Sequence, residues 1–209
     1  MTALRATAIV LAAGRSSRMG TDKALLDLGG EPALGRVIRI LREVPVSRVV
    51  VVLRPIGAAL RRSVDLTGVT TAINVDPESG QSASLRIGWK NVESSADAVV
   101  LCPVDVPLFE ADDVRSLLAA FRSRPDGARI VAPSVDGRRG HPVVFSTDVA
   151  REFAALGPDE PAHGIVRRDP ARVVHVPSTN RWLVDDLDTP EEYAEAVRAL
   201  EGRGPLRES

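Results

Sequence analysis

Three cations crowd the loop that follows the first apolar run of this chain: Arg15, Arg18 and Lys23. Gly14 and Gly20 punctuate the loop, and Ser16 and Ser17 add two hydroxyls. Such a loop suits a polyphosphate. Glycine lets the backbone approach an anion and take positive φ, and successive N–H groups can form an anion-binding nest. Arginine adds forked donors that match phosphate oxygens. Two better-known phosphate loops are excluded. The spacing of Gly14 and Gly20 is not G-x-G-x-x-G, and Lys23 does not follow directly on the second glycine as a P-loop requires. A basic surface turn is the plain alternative. Position favours the anion site, because open α/β sheets take ligands where buried strands end.

Carboxylates follow much later in the chain. Asp105 stands between Pro103 and Pro107 just past an apolar strand, while Asp112 and Asp113 already supply acids to the next helix start. That leaves Asp105 without an evident structural task. Mg²⁺ is typically held by one or two carboxylates plus phosphate oxygens and water, a role that Asp105 fits. Asp185, Asp186 and Asp188 precede the terminal helix, where Asp188 or Thr189 can cap and Pro190 can take the first position. Alternate residues of an extended segment share a face, so Asp186 and Asp188 can point together at a metal.

Two further stretches carry candidate chemistry. From Asn74 through Gly80 the chain is turn-rich, and a helix then begins at Gln81 or Ser82. Its N-terminus offers N–H groups and positive potential to a nucleotide, although a serine-capped helix start is the plainer reading. The basic turn from Gly137 to Phe145 places His141 at a hinge with Arg138 and Arg139 beside it. A lone histidine is more often a structural hydrogen-bonder, but this one has the cations to meet an anionic acceptor. No Ser-His-Asp or Cys-His pairing and no zinc-ligand spacing is legible.

The elements that must position these groups alternate between strand and helix, which predicts a mostly parallel sheet covered by helices. Strands are expected at Ala6–Ala12, Arg48–Leu53, Val69–Val75, Ala98–Cys102, Arg129–Pro133 and Arg172–Val176. Helices are expected after Pro32, over Ile56–Val64, from Ser82, and over Val114–Phe121, Val149–Leu156, Ala162–Arg168 and Pro190–Leu200. The turn before Phe145 reads as a small hairpin beside the main sheet.

At 209 residues the chain suits one domain over 1–200, with a polar, flexible tail at 201–209. Aromatic residues are only 3%, so the core must be built from Val, Leu, Ala and Ile. A formal net charge of −1 argues against a general nucleic-acid binder. No apolar run approaches the roughly 20 residues needed to span a membrane, so no membrane partner and a cytoplasmic location are expected. Cys102, the single cysteine, lies in an apolar stretch and reads as a small buried hydrophobe.

Taken together, a cationic glycine loop, a helix N-terminus and separated acids match nucleotidyl transfer, where positioning and charge neutralisation do most of the work. Leu11-Ala-Ala-Gly-Arg-Ser-Ser-Arg-Met-Gly20 with Lys23, Gly80-Gln-Ser-Ala-Ser-Leu-Arg86, Pro103-Val-Asp-Val-Pro107, Gly140-His-Pro142 and Asp186-Leu-Asp-Thr-Pro190 resemble, in order, the signature segments of the MobA/MocA-like nucleotidyltransferases. The resemblance implies a Rossmann-like three-layer α/β fold with a mostly parallel sheet. It also implies Mg²⁺, an NTP and release of pyrophosphate. By that resemblance Leu11, Ala12, Ala13 and Gly14 line the base and ribose. Arg15, Ser16, Ser17, Asn74, Gly80 and Ser82 join the nucleotide site. Arg18 and Lys23 hold the triphosphate and stabilise the transition state. Asp105 ligates the metal with Asp188 and Asp186, and His141 and Arg139 meet the acceptor.

Leu11-Ala-Ala-Gly14 is similar to the cytidylyl branch, which implies CTP and molybdopterin as substrates and a molybdoenzyme as a possible partner. Val104-Asp-Val-Pro107 departs from the Gly-Asp-Gln-Pro of many cytidylyl members: the acid is kept and a polar neighbour is lost. The alternatives are a GTP-using molybdopterin guanylyltransferase, a sugar-1-phosphate nucleotidyltransferase and a non-catalytic protein that delivers the molybdenum cofactor.

Overall fold

A computed structural model describes residues 4–14, 21–55, 58–76, 80–156, 160 and 162–202. Its strands are β1 (Ala6–Ala12), β2 (Arg48–Leu53), β3 (Thr70–Ile73), β4 (Ala98–Pro103), β5 (Ile130–Val135), β6 (Arg138–Arg139), β7 (Val143–Ser146) and β8 (Val173–Pro177). Its α-helices are α1 (Ala33–Arg42), α2 (Ala58–Ser63), α3 (Gln81–Trp89), α4 (Ala111–Arg122), α5 (Thr147–Ala154), α6 (His163–Arg168) and α7 (Pro190–Glu201).

The strands form one sheet in the order β3-β2-β1-β4-β7-β5-β6, with β8 pairing with β5. The β1, β2, β3 and β4 strands are mutually parallel, and β8 runs parallel to β5. The result is a Rossmann-like α/β architecture with a mostly parallel sheet. Pleating decides where each side chain goes. Along β1, Ala6, Ala8, Val10 and Ala12 join a core with α1 and α4, while Ile9 and Leu11 join a second core with α3 and α5. Both faces of the central strands are therefore apolar, which is why RVVVVL in β2 shows no alternation. A third cluster, including Leu26, Leu108, Trp182 and Leu187, receives α7 through Ala196. Gly88 is required in α3, since a Cβ there would lie 2.7 Å from Ile9 Cγ2.

The expected hairpin is not set beside the sheet. β5 and β6 turn tightly through Asp136 and Gly137, both at positive φ, and β7 enters the main sheet antiparallel between β4 and β5. Val143, Val144 and Phe145 are buried on both faces, so burial favours insertion over an outlying ribbon. Among the described residues, no helix is long and apolar enough to cross a membrane.

Candidate active site

Parallel β1 and β4 lie side by side, so the segments leaving their C-terminal ends share one edge of the sheet. The Leu11 carbonyl accepts from Val104 N (3.0 Å), pinning the two exits together. Leu11, Ala12 and Ala13 are buried and Gly14 is exposed. Arg15, Ser16, Ser17, Arg18 and Gly20 lie outside the described residues. Beyond that stretch the Asp22 carboxylate accepts from Ala24 N (3.1 Å) and pairs with Arg54 (2.7 Å). This cap starts a 3₁₀ turn, Lys23–Leu25, that aims Lys23 inward.

Lys23 Nζ donates to Asp188 Oδ1 and lies 3.8 Å from Asp105 Oδ2. Both acids are held through their backbones. Val106 N donates to the Pro103 carbonyl (3.3 Å), closing the turn that displays Asp105, and buried Arg36 donates through Nε to the Pro107 carbonyl (3.2 Å). The next helix does not need Asp105, because α4 is closed by a capping box between Glu110 and Asp113. Thr189 caps α7, with Pro190 at its first turn and Glu192 completing the box. That leaves the Asp188 carboxylate to meet Lys23, while Asp188 N donates to Glu192 Oε2 (2.8 Å). Leu187 N reaches the Asp105 carbonyl at 2.8 Å, tying the two acidic segments together.

The third acid shows how tightly this charge is packed. Burial, followed by the nearby charges of Asp105 and Asp188, pushes the Asp186 carboxyl up to about 6. Asp105 is also raised by burial, although Lys23 pulls it back. Asp185 turns the other way, pairing with Arg138 and Arg181 at 3.1 Å each. Among the described residues, no three His, Cys, Asp or Glu side chains form a ready-made metal cage. A magnesium site completed by phosphate oxygens does not need one. Hard carboxylate oxygens gathered around a single ammonium group fit a hard divalent cation.

His141 belongs to a different environment. A cavity of about 440 Å³ lies between the sheet and helices α3, α5 and α6. Its floor includes Leu85, Leu101, Phe145 and Phe153, and its rim carries Arg138, Arg139 and Arg167. His141 lines this cavity with a buried Nδ1 that has no hydrogen-bond partner among the described residues. Burial lowers its pKa to about 4, against a backbone hydrogen bond at Leu101, and Arg139 adds to the lowering. The ring is therefore neutral near pH 7. Gly140 and His141 dock on the turn at Leu183: His141 N donates to the Leu183 carbonyl (2.7 Å), and a Cβ on Gly140 would lie 2.0 Å from that oxygen.

The remaining predicted positions are committed to structure. Asn74 is 2% exposed; its Nδ2 donates to Ser84 Oγ (2.9 Å) and its Oδ1 accepts from Asp76 N (3.0 Å). Gly80, at φ 83°, precedes α3, whose start has no side-chain cap. Ser82 does not cap it and donates instead to the Glu160 carbonyl (2.7 Å). Arg86 reaches the Leu156 carbonyl (2.9 Å), bracing α3 against the end of α5. The Asp22–Arg54 pair and the rim position of Arg167 were not foreseen. Asp-Lys-Ala-Leu signals a cap at Asp22, but no sequence signal joins Asp22 to Arg54 or Arg167 to Arg139.

A parallel sheet that collects a lysine and split carboxylates at one edge defines the class: a nucleotidyltransferase of Rossmann-like fold. Residues 8–174 match the MobA-like NTP transferase domain, and the chain belongs to that family. A probable molybdenum cofactor guanylyltransferase from Opitutus terrae is 30% identical over 189 residues, covering 88% of this chain and 90% of its own. Purine catabolism protein PucB from Bacillus subtilis is 28% identical, covering 92% and 96%. Among solved structures, Rv0371c of Mycobacterium tuberculosis in complex with manganese superposes with TM-score 0.75 at 25% identity, covering 94% of this chain and all of its own. A nucleotidyl transferase from Methanothermobacter reaches TM-score 0.79 at 20% identity, covering 95% and 99%.

Proposed function

We infer that the chain moves a nucleoside monophosphate from an NTP to a phosphorylated acceptor, with CTP as donor and molybdopterin as acceptor. The observation that carries this reading is the convergence of Lys23, Asp105, Asp186 and Asp188 beside an arginine-rimmed cavity. In the transfer, an oxygen of the acceptor phosphate bonds to the α-phosphorus, the bond from that phosphorus to the bridging oxygen breaks, and pyrophosphate leaves. Leu11 to Gly14 receive base and ribose, with Asn74, Gly80 and Ser82 as the further nucleotide-binding positions. Arg15, Ser16, Ser17, Arg18 and Lys23 would bind the phosphates, and Lys23 would stabilise charge as it builds. Asp105 and Asp188, with Asp186, would hold Mg²⁺, which would neutralise charge on the triphosphate. The manganese complex of Rv0371c supports a divalent cation in this fold.

His141 and Arg139 orient the acceptor. Arg139 on the rim can pair with an anionic group of the acceptor, and the His141 ring forms part of the wall that the acceptor meets. Guanine is the second reading of the base, because the Opitutus relative is named for guanylyl transfer. The deciding experiment incubates the protein with molybdopterin, Mg²⁺ and each NTP in turn while following pyrophosphate. Release with CTP is expected. Release with GTP alone selects the second reading, and release only with sugar 1-phosphates replaces the acceptor.

A further inference from the structure

Lys23 stands where a cation shared by Asp105 and Asp188 would stand. Its side chain is 13% exposed, it touches one carboxylate directly, and it lies 3.8 Å from the other. The backbones that carry the three groups are held in place, so any exchange of partners is made by the side chains. Lys23 is fixed by a capped 3₁₀ turn, Asp105 by the closed turn after β4, and Asp188 by the first turn of α7. An ammonium group and a divalent ion therefore compete for the same oxygens. A third acid, Asp186, feels the charges of both carboxylates and of Lys23.

We propose that Lys23 is the resident counter-ion of this carboxylate pair, so that the divalent cation binds well only after nucleotide phosphates have drawn the lysine away. The inference rests on the nucleotidyl-transfer reading and gives it an order of events. Without nucleotide the lysine holds the acids together and the site resists metal. An arriving triphosphate offers the ammonium group better partners, and the carboxylates it leaves become ligands. One side chain thus serves two states, which couples metal affinity to the presence of the second substrate.

The test measures Mn²⁺ binding to the nucleotide-free full chain by the loss of the free-ion EPR signal. Wild type is expected to bind weakly. Lys23→Met is expected to bind about tenfold more tightly, because a competing charge within 4 Å has been removed. Lys23→Arg keeps that charge and is expected to stay near wild type. Adding Asp105→Asn to Lys23→Met is expected to abolish the gain, which locates the ion. Thermal melts of each variant verify folding. If Lys23→Met binds no better than wild type while Asp105→Asn weakens both, the competition is overturned but the metal site stands. If no variant binds Mn²⁺, the competition is overturned as well. Pyrophosphate release by wild type with Mg²⁺ then reports separately on nucleotidyl transfer.

Discussion

The two halves of the candidate site solve opposite charge problems. At the ends of β1 and β4, three acids among the described residues stand around one lysine, which is paired with two of them. In the cavity beneath β6 and β7 the excess is positive: Arg138 is paired with Asp185, but among the described residues Arg139 and Arg167 form no ion pair. On the proposed reading the first region exchanges one cation for another, and the second, with a floor of Leu, Val and Phe, receives an anion that arrives with an apolar or aromatic body. Charge balance within the protein thus separates the region that must be rearranged before it works from the region that needs only its ligand.

Removing one acid strikes hardest at this contrast. Asp105→Asn is expected to lower kcat/KM for NTP by about a hundred- to a thousandfold, measured by pyrophosphate release; a change within twofold would mean that the acidic half is structural. Gly140→Ala comes next. Its new methyl group has no room against the Leu183 carbonyl, and a loss of about 3 kcal/mol in unfolding free energy is expected from denaturant titration. Because Leu183 also begins the segment leading to Asp105, the variant should disturb both halves, and an effect confined to acceptor binding would show them to be mechanically separate.

A smaller effect concerns His141. Its folded pKa of about 4 lies below the ordinary 6.5, so the native state disfavours its protonation. The resulting stability is fully present above pH 6.5 and is lost as pH falls toward 4. Unfolding free energy should decline over that window in wild type and decline less in His141→Gln. The least effect is expected for Arg167→Ala on the exposed rim: about a fivefold rise in acceptor KM with NTP KM unchanged. A change in NTP KM instead would join the rim to the other half.

The sequence was most readable where backbone chemistry is local. The bounds of β1 and β2, the proline-bounded turn at Asp105 and the cap and first turn of α7 follow from neighbouring residues and stand as expected, while the ends of the other expected strands shift by one or two residues. It was least readable where partners come from far apart. Lys23 meets Asp188 across 165 positions, and only the adjacency of β1 and β4 brings those segments to one edge. Asn74 and Ser82 looked like open polar groups, yet each is engaged by an atom that local sequence does not announce. The path of β7 was misjudged because four residues, VVFS, suit an outlying ribbon and a central strand equally well. The loop from Arg15 to Gly20, the strongest signal in the sequence, lies outside the described residues.

The segment from Leu183 to Leu187 touches both halves, accepting from His141 N at one end and donating to the Asp105 carbonyl at the other. A stretch of that length spans at most about 14 Å. It therefore acts as a ruler. That stride of chain bounds the reach from the cavity wall to the acidic edge, and on the proposed reading an acceptor is gauged by whether its phosphate arrives at that edge while its body remains in the cavity. Molecules of suitable charge but the wrong reach would bind without being modified.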